Sequence, residues 1–235
     1  MLRIFRGVEL DPSLRSGADG DMAQVAAEHE LTPTQRDMDS RDWTFGGTWP
    51  YEPRWLFTDG VRLHYVDEGP RDGAPVVLLH GSLGWAYAYR VEIAERVAAG
   101  ARAIAYDQLG FGRSDKPERE SEYSLERDVG HLRALADELE LGRVALVVQA
   151  SAVPIARAFA VAEPGRVAGI AEHEELPLPG IVRAPLLGRL LVKGARLPVR
   201  RAASSPEELA AYLAPHPSWA SRSGIVASLR RRKAA

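Results

Sequence analysis

Apolar residues in this chain gather into two kinds of run, and their order predicts an architecture. Three runs are short and unbroken: Val76-Val77-Leu78-Leu79, the stretch 102–106 (Arg-Ala-Ile-Ala-Tyr) and 144–148 (Val-Ala-Leu-Val-Val). Lacking polar alternation, they suit strands buried on both faces, as in a parallel sheet. A further strand is expected at about 166–171. Segments of helical period lie between them. In 124–141 the residues Leu125, Val129, Leu132, Leu135 and Leu139 share one face, with Ser124 placed to cap the start and Gly142 to follow the end. Residues 86–99 form a second such segment, closed by Gly100. Strand–helix alternation of this kind predicts a doubly wound, mostly parallel α/β sheet with right-handed crossovers. Ahead of it, 56–58 and 61–66 flank Asp59-Gly60, which signals a β-hairpin on a type I′ turn.

The two ends read differently. Residues 1–42 are polar, with Gly17, Gly20 and Pro33, and are expected to form a loosely attached arm with a short helix at 21–30. The sheet core is assigned to 43–175. From 176 to 235 the chain holds many Leu, Pro and Arg residues without a strand pattern. There, Ser205-Pro206-Glu207-Glu208 opens a helix as a capping box with proline at its first position, so this part is expected to be a helical cap segment.

Composition removes several chemistries. The 235 residues are 46% apolar and 26% charged, which is ordinary for a globular protein. The absence of cysteine excludes thiol nucleophiles, disulfides and thiolate metal sites. A formal net charge of −2 gives no reason to expect nucleic acid or an anionic membrane as partner. The basic clusters Arg200-Arg201 and Arg230-Arg231-Arg232-Lys233 read as solvated faces. No apolar run approaches the ~20 residues that span a bilayer, and the first residues lack the apolar core of a secretory signal, so a cytoplasmic location is expected. Gly110-Phe111-Gly112 does not continue to a third glycine, which fails the dinucleotide fingerprint. The scattered histidines and acids lack metal-ligand spacing, and no cofactor is expected.

Three segments carry a resemblance. The first is Leu78-Leu79-His80-Gly81-Ser82-Leu83-Gly84-Trp85, a strand ending in His-Gly. The second is Asp107-Gln108-Leu109-Gly110-Phe111-Gly112-Arg113-Ser114-Asp115-Lys116-Pro117, an Asp-x-x-Gly-x-Gly-x-Ser turn with a trailing Asp-Lys-Pro. The third is Val147-Val148-Gln149-Ala150-Ser151-Ala152-Val153-Pro154-Ile155, a strand running into a helix, followed by Glu163-Pro164-Gly165-Arg166-Val167. In this order they resemble the α/β-hydrolase superfamily, and its haloalkane dehalogenase branch in particular. Leu63–Gly69 also matches family usage, and Tyr212–Pro217 resembles the dehalogenase cap, so the likeness runs from about residue 49 to 231.

The resemblance implies a cofactor-free hydrolysis of carbon–halogen bonds. A carboxylate on the elbow attacks carbon, the halide leaves into N–H donors, and a histidine-activated water cleaves the ester. His80, Gly81, Asp107, Gly110 and Gly112 would build the structural turns. The branch's elbow would read Gln-Asp-Trp-Gly-Gly where this chain has Gln149-Ala150-Ser151-Ala152-Val153. Ala150 therefore stands at the nucleophile position without a functional group. Ser82 and the Ser151 backbone N–H remain as halide or oxyanion donors. Glu174 falls where one subgroup carries its catalytic acid, although Glu172, Glu174 and Glu175 read equally as a solvated acidic turn. The family histidine would follow an eighth strand, beyond residue 235, and the last strands of the fold are expected to be missing.

These readings make the chain a catalytically silent dehalogenase-like pseudoenzyme. Two rivals stand beside it. One is an esterase-like serine hydrolase using Ser151, although Ser151 reads more simply as a helix N-cap. The other is a non-enzymatic binder of a small apolar or halogenated molecule or of a protein partner. An uncovered sixth strand would also invite self-association through the sheet edge.

Overall fold

The computed structural model describes residues 33–173, 192–193 and 204–231. Six strands form one sheet: β1 (Arg54–Thr58), β2 (Val61–Glu68), β3 (Pro75–Leu79), β4 (Arg102–Tyr106), β5 (Val144–Gln149) and β6 (Val167–His173), in the order β1-β2-β4-β3-β5-β6. The hairpin forms as expected. Thr58 pairs with Val61, and Asp59 and Gly60 sit at φ 50° and 69°, the two left-handed residues that a type I′ turn requires. β2 runs antiparallel to β4, whereas β3–β4, β3–β5 and β5–β6 are parallel. The architecture is the mixed α/β sheet of the α/β-hydrolase fold, with β3 at its centre.

The unbroken apolar runs are explained by two-sided burial. Val77 and Leu79 point into one core with Leu132, Leu135, Ile155 and Phe159, while Val76 and Leu78 point into the other with Ile93, Trp85 and Tyr87. Successive strand residues face opposite sides, so a strand covered on both must be apolar throughout. The first side is supplied by α3 (Leu125–Glu138) and α4 (Val153–Ala162), the second by α2 (Arg90–Ala98). β6 differs. Val167 and Ile170 are half-buried and the other five residues are exposed; among the described residues this strand is paired on one side, with β5.

Helix ends test the local chemistry. The Ser124 hydroxyl accepts from the Arg127 N–H at 3.1 Å, as a cap should. The end of α3 corrects the expectation for Gly142. The left-handed residue is Glu140, at φ 50°, and the N–H groups of Glu140 and Leu141 return to the carbonyls of Asp137 and Ala136. That is a Schellman motif built on a glutamate, two residues earlier than the glycine. Gly100 does close α2, at φ 81°, although the first turn of the expected helix, Ala86–Tyr89, is 3-10.

Within the stretch read as a polar arm, α1 (Pro33–Asp39) forms a short helix whose Met38 is buried beside Trp43 and Trp49. The helix expected at 21–30 and most of 176–204 lie outside the described residues. The capping box opens α5 (Pro206–Leu213). The Ser205 hydroxyl accepts from the Glu208 N–H, while the Glu208 carboxylate takes the N–H of Ser204 at 2.8 Å. α6 (Ser223–Arg231), in the stretch expected to be a helical cap segment, is buried from Ser223 to Leu229.

Candidate active site

The carboxyl ends of β3, β4 and β5 stop level with one another, Leu79 pairing with both Tyr106 and Val148. Ligands of open α/β sheets bind beyond such ends. Three turns meet there: His80-Gly81-Ser82, Asp107 to Ser114, and Gln149-Ala150-Ser151.

Asp107 organises the second turn. Its carboxylate is fully buried and accepts from His64 Nδ1 at 2.7 Å, the Ala86 N–H at 2.8 Å and the Arg113 N–H at 2.8 Å. Burial acts to raise its pKa, but His64 and these donors hold it down to about 2. Gly112 is required by this arrangement. It sits at φ 46°, and a Cβ there would lie 1.9 Å from an Asp107 carboxylate oxygen. Gly110, at φ 88°, lies so close to Gly224 at the start of α6 that a Cβ would meet its Cα at 3.0 Å. The glycine pair thus lets one turn fold around a carboxylate and lets a helix approach from above.

His80 is neutral by its bonding pattern. Nε2 accepts the Gln108 N–H at 3.0 Å, which leaves Nδ1 to carry the proton and donate to the Gly81 carbonyl at 2.8 Å. Both ring nitrogens are therefore committed to shaping the turn.

The third turn is relaxed rather than sharp. A nucleophile elbow is a strained strand-to-helix turn. Here β5 leaves at Gln149 (φ −75°, ψ 150°), passes through a 3-10 turn at Ala150–Ala152, and enters α4 through Ala152 (φ −94°, ψ −5°). None of these residues is among those with positive φ. Ala150 is exposed and presents a methyl group. Ser151 is not the N-cap of α4. Ala152 holds that place and offers no side-chain bond. The Ser151 hydroxyl instead accepts from the Ser82 N–H at 2.7 Å. Gln149 does likewise for its neighbour, its Oε1 accepting from the Gly81 N–H at 2.6 Å. Two backbone donors of the His-Gly turn are thereby engaged by the chain's own side chains. The Ser82 hydroxyl, in turn, shares a hydrogen bond with the Ser228 hydroxyl of α6 at 2.7 Å.

The structure brings Ser82 and Ser151 together, with Ala150 next in sequence; Glu174 lies outside the described residues. The remaining described histidines are engaged elsewhere. His131 lies on α3 with Nε2 3.7 Å from Asp59, His173 is 3.5 Å from Glu92, and His216 contacts the Ser221 carbonyl at 3.2 Å. Among the described residues no three His, Asp or Glu side chains are gathered as metal ligands would be. Sequence reasoning missed Gln149 and Ser228. A glutamine ending an apolar strand was a readable signal, whereas the Ser82–Ser228 contact spans 146 positions and leaves no local trace.

Comparison with known proteins agrees with this fold. The α/β-hydrolase fold family matches residues 74–179. The structure superimposes on that of the haloalkane dehalogenase DatA from Agrobacterium tumefaciens with a TM-score of 0.65, at 28% identity over 76% of this chain and 67% of that one. The chain has the α/β-hydrolase fold and is similar to haloalkane dehalogenases. Over 145 residues it is 39% identical to a haloalkane dehalogenase of Psychrobacter cryohalolentis, covering 60% of this chain and 46% of the relative. Over 110 residues it is 46% identical to one from Mycolicibacterium paratuberculosis, covering 47% of this chain and 36% of the relative. The chain thus spans less than half the length of these curated relatives. Among the described residues no helix is long and apolar enough to cross a membrane.

Proposed function

We propose that this dehalogenase-like chain does not itself displace halide. The observation that carries the reading is Ala150 at the end of β5, a methyl group where the resemblance expects the attacking carboxylate. Loss of the nucleophile from a hydrolytic triad costs on the order of 10⁶ in turnover. The donors left in a pocket retain at most ~10³–10⁴ over water. Even that residue is reduced here, because the Gly81 and Ser82 N–H groups are engaged by Gln149 and Ser151. Ser228 of α6 likewise engages the Ser82 hydroxyl. The role that fits is a cytoplasmic, cofactor-free scaffold that can hold a small apolar or halogenated molecule without turning it over.

Halide release over a panel of short haloalkanes tests this directly. No release above the buffer rate is expected; release that follows protein concentration and survives repurification would refute it. One observation favours a second reading, namely the placing of the Ser151 hydroxyl beside the His-Gly turn. As a serine hydrolase the chain would be labelled by a fluorophosphonate probe in a manner abolished by Ser151→Ala. An absence of label dismisses that reading.

A further inference from the structure

A cleft of about 290 Å³ opens between the segment 41–53 and the side chain of Arg113. It shares no residue with the Ser82–Ser151–Ser228 contacts. Its volume sits at the small end of the ~300–1,000 Å³ typical of ligand sites. The walls are aromatic, from Trp43, Trp49 and Tyr51, with the Trp49 and Tyr51 rings edge-on at 4.8 Å. Two cations stand in the wall, Arg41, which is ion-paired with Asp37, and Arg113. The Arg113 guanidinium lies 5.2 Å from the Trp43 ring centre and 5.3 Å from that of Trp55.

Among the described residues this cation has rings around it and no counter-ion. Arg113 Nε is sealed from solvent without a hydrogen-bond partner, and so is the indole N–H of Trp49 in the same wall. Among the described residues no carboxylate is in ion-pair contact with it. The two acids that act on it most are already engaged, Asp39 by Arg62 at 2.8 Å and Asp107 by His64 and two backbone N–H groups. A desolvated charge without a partner is costly, and an anion entering the cleft would relieve that cost. Ring contacts alone compensate a guanidinium only in part. The cleft also limits which anion enters. Asp42 and Glu52 line it as well, and Asp42 is held ionised by the Thr44 N–H at 2.8 Å. Two carboxylates repel a phosphate or any polyanion more strongly than a single negative charge.

We propose that this cleft is a binding site for a small monocarboxylate with a flat apolar body, its carboxylate on Arg113 and its body against Trp43, Trp49 and Tyr51. A charge-assisted, forked contact to guanidinium would supply the preference for carboxylate over an uncharged isostere.

Calorimetric titration of the full 235-residue chain with benzoate, benzamide, benzamidine and inorganic phosphate tests the proposal. Benzoate should bind at least tenfold more tightly than benzamide, with benzamidine and phosphate weaker than both. Arg113→Gln should abolish the preference for benzoate over benzamide, and Arg113→Lys should keep part of it. Equal binding of benzoate and benzamide, no binding of either, or stronger binding of phosphate would each overturn it. So would a benzoate preference that persists in Arg113→Gln. Because the benzoate–benzamide comparison uses the unaltered chain, the proposal stays testable should Arg113→Gln fail to fold.

Discussion

Ser151 separates a structural serine from a catalytic one, and truncating it to alanine reads out which it is. Its hydroxyl accepts the Ser82 N–H at 2.7 Å, and Ser82 is 1% exposed. Ser151→Ala removes the acceptor without opening a path for water, so a buried N–H loses its partner. An orphaned donor of this kind costs about 1–3 kcal/mol. For a domain of this size that corresponds to a fall in Tm of roughly 2–12 °C. Ser228→Ala is the matched control. It removes a neutral hydroxyl–hydroxyl contact and orphans no backbone N–H, so its cost should stay near the ~0.5–1.5 kcal/mol of an ordinary hydrogen bond. Urea denaturation followed by circular dichroism gives both values, and the slope of the transition shows whether either variant alters the unfolded state. The reasoning fails if Ser151→Ala is neutral or stabilising, since catalytic groups are commonly held at the expense of stability. Such a result, joined to loss of fluorophosphonate labelling, would make Ser151 the nucleophile.

Three further outcomes follow from the same contacts. Asp107→Ala strips the acceptor from His64 and from the N–H groups of Ala86 and Arg113, so it should cost at least ~3 kcal/mol; a shift in the urea midpoint worth less than ~1 kcal/mol would contradict this. Burial lowers the pKa of His131 to about 4 and, with Lys116 nearby, that of His216 to about 3. Both are depressed below the unfolded value near 6.5, so the unfolded chain takes up protons first and stability falls as pH drops below about 6.5. By pH 5 each should have removed ~2 kcal/mol, and His131→Leu should flatten the pH dependence between 7 and 5; a flat profile in the unaltered chain would refute the assignment. Glu140→Gly places the residue suited to φ 50° at the end of α3 and should stabilise by about 0.5–1 kcal/mol, seen as a higher Tm.

Local chemistry made much of the fold legible. Asp59-Gly60 announced its turn because two adjacent left-handed residues demand that pair, and Ser124 announced its helix because a hydroxyl reaches only its own N-terminal turn. The strands of the centre were readable because burial on two faces leaves no polar position to mislead. Legibility failed where tertiary contacts outweighed propensity. Gly142 is the better left-handed residue, yet the packing of Leu141 and Ala136 into the core ends α3 two residues earlier, at Glu140. Ser151 has the residue type of an N-cap, yet the unmet Ser82 N–H across the crevice claims its oxygen. The role of α6 had no local signal at all. The start of this helix packs closely on the second turn because Gly110 and Gly224 allow two backbones to touch.

Those same contacts explain why the site's departures belong together rather than being separate accidents. A strained elbow exists to lift one reactive side chain into open space, and its strain persists only while surrounding structure maintains it. On the proposed reading, in which Ala150 holds the nucleophile position, nothing needs lifting, and Ala152 and Val153 stand where the resemblance implies glycines. The turn then relaxes into 3-10 geometry. Relaxation brings the Ser151 hydroxyl within reach of Ser82, and Gln149 satisfies Gly81, so donors that would otherwise await an incoming anion are paired. Restoring the carboxylate alone, as in Ala150→Asp, would therefore place a charge beside acceptors and beneath α6, with the nearest backbone donors already engaged.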